Sequence, residues 1–385
     1  MSMQSAGASS KPLRIVIVVS HPIQHFCPQY RSLAAHPGIH LTVVFGSMKG
    51  AEGYFDEGFG EQISWGQDLL TGFEWTVVEE GASMSAVLTD SAPDWLIVYG
   101  YGSPISRSGW RWALRHRVRL AYIADSELRH SQSKRTLLIK RAVLNLLFRR
   151  VNAFLSVGSA NEDYYRYMGV PDRKLVRMNF PIDLSVFGKP DPSGASVLRR
   201  KLDIPDSAIV VSTVGKLIER KRQSDLIAAC RSFTEDEVCV VIVGSGPDEA
   251  HLESVNSGRE NVRFAGFVPP SDLPAYYDLS DIYAQLSSYD PHPLAVSEAI
   301  AAGCVPIVST STGSWGPHDD VQPGRNGFVV RTGDLAAVRR AIADILSSPK
   351  LREEMGVASR LISAEHQEMA HGGFVDRLTA LAGRG

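Results

Sequence analysis

The sequence predicts an α/β protein with two doubly wound domains. Short apolar runs rich in Val and Ile alternate with segments of helical period, and this rhythm stops and then restarts once along the chain. Continuous rather than alternating apolar runs are typical of strands that are buried on both faces of a parallel sheet. A chain of 385 residues is long enough for two such domains.

The same pattern places the main strands. In each half, a strand followed by a helical segment indicates a sheet with helices on both sides. The predicted strands lie at 13–20, 40–46, 95–100, 120–125 and 153–159 in the first half, and at 208–217, 238–246, 262–268 and 305–311 in the second half.

The domain boundaries follow from a change in composition. The stretch from Pro181 to Pro205 is rich in Pro, Gly and Ser, which is typical of a linker. We therefore expect two Rossmann-like halves that face each other across a cleft. The predicted organisation is a disordered leader at 1–12, an N-terminal domain at 13–185, a linker at 186–206 and a C-terminal domain at 207–364.

Composition excludes several classes of protein. The apolar fraction of 44% indicates a globular rather than a disordered chain, and the net charge of −2 gives no case for a nucleic-acid partner. Four widely spaced cysteines without a CxxC pattern argue against a disulfide framework and a structural zinc site, and fit a reducing cytoplasm. No stretch approaches the roughly 20 apolar residues that span a bilayer.

The most informative segment is YDPHPLAVSEAIAAGCVPIVSTST, residues 289–312. A helix that starts near Pro293 leaves the amides of Leu294 and Ala295 without intrahelical acceptors, and together with the helix dipole they can hold a phosphate. Glu298, about one turn further on, can bind two vicinal hydroxyls such as those of ribose, and Asp290 can bind sugar hydroxyls. Alternatively, Asp290 caps the turn and Glu298 is a solvated helix residue.

A second segment, VGKLIERKRQSDLI (214–227), places cations at the end of a buried strand. Lys216 and Lys221 follow Gly215 in a turn that leads into a helix. The carboxyl ends of strands face the ligand crevice of an open α/β sheet, so these lysines can neutralise a departing diphosphate. The alternative is a solvated basic turn. The nearby VIVGSGP segment is too incomplete for a dinucleotide fingerprint, but it can form a tight turn at the same crevice.

In the first half, polar residues also follow strand ends. His21, Gln24 and His25 lie in the first strand-to-helix turn, and Asp125 ends another strand. We expect them on the other side of the cleft, where they can orient an acceptor hydroxyl or a phosphate. A simple turn or capping role is the alternative for His21 and for Asp125.

Residues 107–150 contain twelve Arg or Lys and two acids. Within this basic segment, TLLIKRAVLNLLFRR combines an apolar stripe with basic flanks, so the surface can rest on anionic lipid. The alternative is a helix that packs its apolar stripe into the core and exposes a basic face.

With these residues in place, the sequence resembles the GT-B-fold glycosyltransferases of family 4 type (glycosyl transferases group 1). The family's G-R-L element and following Lys correspond to GKLIERK at 215–221, and its E-x7-E pair corresponds to Asp290 and Glu298. The GFV, DLPAYYDLSDIY, AAGCVPIVS and GRNGFVV segments follow in the family's order. The resemblance covers roughly residues 208–347 strongly.

The resemblance implies a retaining, metal-independent transfer from a nucleotide-diphosphate sugar, with no cofactor. Lys216 and Lys221 would bind the diphosphate, Glu298 the ribose and Asp290 the transferred sugar. The backbone of Gly266, Phe267 and Val268 would contact the base. The departing phosphate would receive the acceptor proton, and the C-terminal tail, 365–385, would pack on the N-terminal domain.

Three positions depart from the family pattern. Asp290 replaces Glu and is shorter by one methylene, Lys216 replaces Arg and lacks its bidentate fork, and Pro293 replaces Gly and lacks an amide. The Gly-Gly loop that often follows the first strand is replaced by Pro22-Ile23. These differences leave the donor sugar and the N-terminal contacts open.

Two other functions fit the same fold. A UDP-sugar 2-epimerase would share the diphosphate site but would need further acids and bases that the sequence does not offer. A non-catalytic sugar-nucleotide-binding scaffold would be favoured by lost acids or lysines, whereas both acids and both cations are present. A phosphorylase that uses pyridoxal phosphate is disfavoured because the chain is short. Acceptor, base and oligomeric state are left open.

Overall fold

The computed structural model describes residues 11–49, 54–56, 61–63, 69–78, 83–129, 133–256 and 260–382. Within these residues the chain forms two parallel sheets, each flanked by helices. The predicted two-domain α/β architecture is confirmed. Residues 1–10 of the expected leader lie outside the described residues.

The N-terminal sheet has, within the described part of the chain, seven parallel strands in the order β5-β2-β1-β6-β7-β8-β9. The inner strand β1 pairs with β2 and β6, and its residues from Ile15 to Val19 are fully buried because helices cover both faces. A separate antiparallel pair comprises β3 and β4. The strands are β1 Leu13–Val19, β2 Ile39–Phe45, β3 Tyr54–Asp56, β4 Glu61–Ile63, β5 Glu74–Val77, β6 Trp95–Tyr99, β7 Arg119–Ile123, β8 Ala153–Ser156 and β9 Leu175–Arg177.

The C-terminal sheet has six described parallel strands in the order β12-β11-β10-β13-β14-β15. Its central strand, β10, pairs with β11 and β13, so the chain reverses direction of strand addition at β10 and leaves a crevice at its carboxyl end. The strands are β10 Ile209–Val214, β11 Val238–Val243, β12 Val262–Gly266, β13 Ile282–Gln285, β14 Val305–Ser309 and β15 Phe328–Val330.

The helices cover both faces of each sheet. In the N-terminal domain, α1 and α14 pack on one face, and α2 to α5 pack on the other. The helices are α1 Cys27–Ala35, α2 Met84–Ser91, α3 Pro104–His116, α4 Lys134–Phe148, α5 Ser159–Tyr167, α6 Leu184–Phe187, α7 Pro192–Lys201, α8 Gln223–Ala229, α9 Glu249–Val255, α10 Leu273–Leu279, α11 Leu294–Ala302, α12 Leu335–Ser347, α13 Pro349–Glu368 and α14 Phe374–Ala382. In the described residues, no helix is both long and apolar enough to cross a bilayer.

The segment 186–206, expected to be a linker, contains helix α7. Asp191 and Pro192 of this Pro-rich stretch start the helix. The Asp191 side chain accepts a hydrogen bond from the Gly194 amide (2.9 Å), and Pro192 occupies the first helical turn. Ala195 of α7 is buried in the same core as Tyr276 of α10. This part of the segment therefore belongs to the C-terminal domain.

The chain crosses between the domains twice, at 178–183 and at 366–373, and the two crossings are hydrogen-bonded to each other. Gln367 accepts a hydrogen bond from the Ile182 amide (2.8 Å) and donates one to the Phe180 carbonyl (3.0 Å). The second crossing bends at Gly372, which adopts a positive φ of 153°. Beyond it, α14 packs on the N-terminal domain through Phe374.

The replacement Phe374→Ala tests this packing. Phe374 is fully buried with the residues of β1, so its removal should destabilise the N-terminal domain by about 3–5 kcal/mol. Denaturant unfolding followed by the fluorescence of the buried Trp95 and Trp110 measures this change. Leu361→Ala, at an exposed position of α13, is the matched control, and an equal effect of both replacements would contradict the assignment.

Candidate active site

The carboxyl ends of the two sheets face each other across a cleft that contains a cavity of about 360 Å³. His25 and Asp125 line it from the N-terminal domain, Leu294 from the C-terminal domain and Phe180 from the first crossing. The complete lining is Ile23, His25, Phe26, Tyr99, Gly100, Ile123, Ala124, Asp125, Phe180, His292 and Leu294. Of the four polar residues predicted on the N-terminal side, His25 and Asp125 line this cavity, and His21 and Gln24 do not.

Lys221 and Asp290 form an ion pair at the carboxyl end of β10, with 2.6 Å between Lys221 Nζ and Asp290 Oδ2. Both side chains are largely shielded from solvent. The neighbouring Arg220 donates a hydrogen bond to the Tyr289 carbonyl (2.8 Å), which ties the two loops together. The structure therefore brings together two residues that are 69 positions apart in sequence. A solvated turn at Lys221 is the wrong interpretation, because Asp290 holds the ammonium group.

Gly215 connects β10 to this turn and adopts a positive φ of 141°. It faces Gly244, where an added Cβ would lie 2.0 Å from the Gly215 carbonyl oxygen, so the two loops approach too closely for a side chain. Beside them is a small apolar slot of about 90 Å³ lined by Phe267 and Val268, with Gly266 at a φ of 67° just before them. The Lys216 carbonyl accepts a hydrogen bond from Gln223 (3.0 Å), which fixes the start of the turn.

Helix α11 begins at Leu294, and Pro293 precedes it in an extended conformation. The first hydrogen bond of this turn runs from the Val296 amide to the Pro293 carbonyl (3.0 Å). The amides of Leu294 and Ala295 precede it and have no acceptor within the helix. Leu294 lines the cavity, so this helix start lies at the cleft.

Glu298 is partly buried, and Tyr277 donates a hydrogen bond to its Oε2 (2.6 Å). A solvated helix position is thus the wrong interpretation. Burial raises the pKa of Glu298 to about 7 because it disfavours the charged form, and the Tyr277 hydrogen bond opposes the shift. The carboxyl group therefore changes its charge near neutral pH.

The sequence analysis did not identify His292, whose side chain is 3% exposed. Its Nε2 lies 3.5 Å from Asp320 Oδ2, and its ring lies 4.7 Å from the ring of Phe180. Across the cavity, burial and then the nearby His292 lower the pKa of His25 to about 3, so His25 is neutral. The sequence contains no periodic pattern that would identify His292, because this residue lies between two prolines in an irregular loop.

Asp320 is the centre of a buried network behind the cavity. It accepts hydrogen bonds from Ser297 Oγ (2.5 Å) and pairs with His366 Nδ1 (2.8 Å) at the second domain crossing. Burial alone would raise the pKa of Asp320, but the interactions with His292 and His366 outweigh it and lower the pKa far below its usual value. This carboxylate links the cavity, helix α11 and the crossing segment.

Two contacts bridge the domains beside the site. Arg129 donates to the Thr312 and Trp315 carbonyls, and its guanidinium lies 4.0 Å from the centre of the Trp315 ring. The buried Asp319 pairs with Arg177 Nη1 at 2.8 Å.

Comparison with known proteins identifies a family model that matches part of the chain. Residues 196–361 match the family model described as "Glycosyl transferases group 1". The matched segment contains Lys216, Lys221, Asp290 and Glu298, and the C-terminal domain thus has the sequence pattern of that group.

Curated relatives match over part of their length. The chain is 30% identical over 182 residues to a GDP-mannose-dependent alpha-(1-6)-phosphatidylinositol monomannoside mannosyltransferase of Mycolicibacterium smegmatis, covering 44% of this chain and 47% of that protein. It is 33% identical over 165 residues to the lipopolysaccharide core biosynthesis glycosyltransferase LpsE of Rhizobium meliloti, covering 42% of this chain and 46% of that protein. The chain spans about half the length of the curated relatives that it matches.

Solved structures match over nearly the whole chain. Alr3699/HepE of Anabaena in complex with UDP superposes with a TM-score of 0.74 at 17% identity, over 96% of this chain and 100% of that one. WaaG, a glycosyltransferase involved in lipopolysaccharide biosynthesis, superposes with a TM-score of 0.62 at 14% identity, over 94% and 98%. The predicted GT-B fold is confirmed.

The pKa of Glu298 leads to a stability prediction. The folded state keeps this proton up to about pH 7, whereas an unfolded chain releases it near an ordinary value of 4.5. The contribution of Glu298 to the free energy of unfolding therefore falls as the pH rises from 4.5 to 7. Glu298→Gln cannot ionise, so its stability should not fall in this way. The Tm of the variant minus the Tm of the wild type should therefore be more positive at about pH 8 than at about pH 5. A Tm difference that is constant with pH would show that Glu298 does not titrate there.

Proposed function

We propose that this protein is a retaining glycosyltransferase that moves a sugar from a nucleotide-diphosphate sugar to a hydroxyl of a glycan, a lipid-linked saccharide or a small natural product. One observation carries the proposal. The Lys221–Asp290 pair, the amides at the start of α11 and the Glu298 carboxyl group are gathered at the carboxyl edge of one parallel sheet, and Leu294 at the same helix start lines the cavity. Such an edge is where open α/β sheets bind ligands.

Each donor group has a partner in this arrangement. The slot beside Phe267 takes the base, Glu298 accepts hydrogen bonds from the ribose hydroxyls, and Lys216 and Lys221 neutralise the diphosphate with help from the amides of α11. An ammonium group has three N–H donors, so Lys221 can keep Asp290 and still donate to a phosphate oxygen. Asp290 then contacts the transferred sugar.

The reaction breaks the bond between the sugar C1 and the phosphate oxygen, and the bonding electrons leave with the diphosphate. The acceptor oxygen bonds to C1 on the same face, and its proton goes to the departing phosphate. His25 and Asp125 line the acceptor side of the cavity, and the neutral His25 can donate or accept a hydrogen bond. Lysines and helix amides supply the positive charge, so the proposal includes no metal and no cofactor.

The setting proposed for this reaction is the cytoplasm, at the inner face of the membrane. All four cysteines lie in the described part of the chain, are buried and form no disulfide, as suits a reducing compartment. The relatives named above include proteins whose names refer to phosphatidylinositol mannoside and to lipopolysaccharide, which supports an acceptor carried by a lipid. The basic segment 107–150 supplies the membrane contact.

A thermal-shift screen with UDP, GDP, ADP and TDP tests the donor site. A ligand present at a hundredfold excess over its Kd stabilises the folded state by about 2.7 kcal/mol. One nucleotide should raise the Tm clearly, and UDP and GDP are the leading choices because the similar proteins are named for one or the other. Failure of all four nucleotides to shift the Tm would contradict the proposed donor site.

Lys221→Ala should lower kcat about 100-fold or more, because charge on the departing diphosphate loses its neutralising partner. The replacement also leaves Asp290 buried without its cation, which lowers the Tm. The double variant Lys221→Ala/Asp290→Ala should recover Tm without recovering activity. Transfer is measured by nucleotide release and by NMR of the product anomer.

Lys350→Ala, at a lysine exposed on α13, is the matched control and should keep full activity. Wild-type turnover of Lys221→Ala, or an inverted product anomer, would contradict the mechanism.

A further inference from the structure

The loop that follows β7 is fixed to helix α5 of the same domain. The Tyr165 hydroxyl accepts a hydrogen bond from the Ala124 amide (3.0 Å) and donates one to the Ala124 carbonyl (3.1 Å). The buried Asn161 donates to the Ser126 carbonyl (2.8 Å). The backbone that carries Arg129, a little further on, is therefore held in place relative to the N-terminal sheet.

This loop lies opposite the segment that precedes α11 in the C-terminal domain. Burial raises the pKa of Tyr289, and the negative charges of Glu127 and Asp125 raise it further. Such an interaction between charges requires that the groups lie near each other, so the loop and Tyr289 face each other across the cleft. The next residue in sequence after Tyr289 is Asp290, which the proposed function assigns to the transferred sugar.

Arg129 reaches across the cleft at this point. Its guanidinium donates hydrogen bonds to the Thr312 carbonyl and to the Trp315 carbonyl (2.9 Å), and its central carbon lies 4.0 Å from the centre of the Trp315 ring. A planar guanidinium can bond to two carbonyls and stack on an aromatic ring at the same time, which an ammonium group cannot do. All three contacts join the N-terminal domain to the C-terminal domain, so they exist only while the domains are in this arrangement.

The backbone that this guanidinium holds lies alongside Asp290. Thr312 forms a parallel bridge with Asp290, the Gly313 amide donates to the Asp290 carbonyl (2.8 Å), and the Asp290 amide donates to the Ser311 carbonyl (3.3 Å). An added Cβ at Gly313 would lie 1.6 Å from the Pro291 carbonyl oxygen, so there is no free space between the two segments. A shift of the backbone held by the guanidinium must therefore move the backbone of Asp290 as well.

We propose that Arg129 is a positioning residue for the transferred sugar, because it holds the backbone that places the Asp290 carboxylate when the domains are closed. This inference rests on the proposed function, since it takes Asp290 as the contact of the sugar. It divides the donor into two parts. The nucleotide is bound by the C-terminal domain alone, whereas the sugar contact is complete only when Arg129 of the other domain is in place. Such a dependence protects the donor from water until the cleft closes.

Isothermal titration calorimetry with a nucleotide and with its sugar conjugate tests this role, using UDP and UDP-glucose, and GDP and GDP-mannose. Arg129→Ala should bind the nucleotide as the wild type does, because the slot beside Phe267 and both lysines belong to the other domain. The Kd of the conjugate divided by the Kd of the nucleotide should rise about 2- to 30-fold. The kcat should fall about 10- to 100-fold, because a small displacement of a contacting group has an effect of that size.

Further variants separate positioning from a general loss of structure. Arg129→Lys should behave like Arg129→Ala, because it lacks the planar fork, whereas Trp315→Phe keeps an aromatic ring and should stay close to the wild type. Millimolar methylguanidine should restore part of the kcat of Arg129→Ala. In an Asp290→Asn background, Arg129→Ala should leave the Kd ratio unchanged, because its effect passes through the Asp290 carboxylate.

The matched control is Arg199→Ala. Arg199 also donates to two carbonyls, those of Pro205 (2.7 Å) and Ala208 (3.2 Å), but both lie in its own domain. This variant should lower the Tm and keep the Kd ratio and kcat of the wild type.

The outcomes distinguish the two proposals. If neither nucleotide binds the wild type, the proposed donor site fails, and the role of Arg129 fails with it. If a nucleotide binds the wild type and Arg129→Ala keeps the wild-type Kd ratio and kcat, only the role of Arg129 is overturned. An equal loss of nucleotide and conjugate binding in Arg129→Ala, or an equal change of the Kd ratio in Arg199→Ala, would show a structural role and would also overturn it.

Discussion

The cleft geometry depends on the carboxylate of Asp319. This side chain is 1% exposed, and its Oδ1 accepts hydrogen bonds from the Ser159 amide (2.8 Å) and the Ser159 hydroxyl (3.1 Å) in addition to the Arg177 ion pair. All these donors belong to the N-terminal domain, whereas Asp319 belongs to the loop after β14. A buried carboxylate must be paired, so the loop is fixed where those donors stand.

The next residue transmits this constraint to the site. Asp320 follows directly and holds His366, so the loop that fixes the domains also positions the second crossing. The same loop contains Thr312, which forms a bridge with Asp290 and thereby places that carboxylate opposite Lys221. The candidate site residues Lys221 and Asp290 are therefore positioned by the loop that follows β14.

Much of the fold, and the grouping of several candidate site residues at one sheet edge, could be predicted from sequence, for identifiable reasons. The predicted strands begin within one residue of the observed ones and end one to three residues late, because small and apolar residues continue into the turns at the cleft. Asp290, Glu298 and Lys221 could be found because they occupy regular spacings beside strand and helix ends. The strands β9 and β15 escaped prediction because they have three residues each, too few for a periodic signal. His292 escaped because its environment is set by tertiary contacts, which periodicity does not report.

The paired crossings have a mechanical consequence. Two bodies joined by two adjacent, mutually bonded segments can rotate about the line through those segments, whereas sliding would stretch both connections together. Phe180 is part of this axis and also part of the cavity wall. A change in the angle between the domains therefore also moves the cavity wall around His292. The volume of the cavity and the angle between the domains are coupled through Phe180.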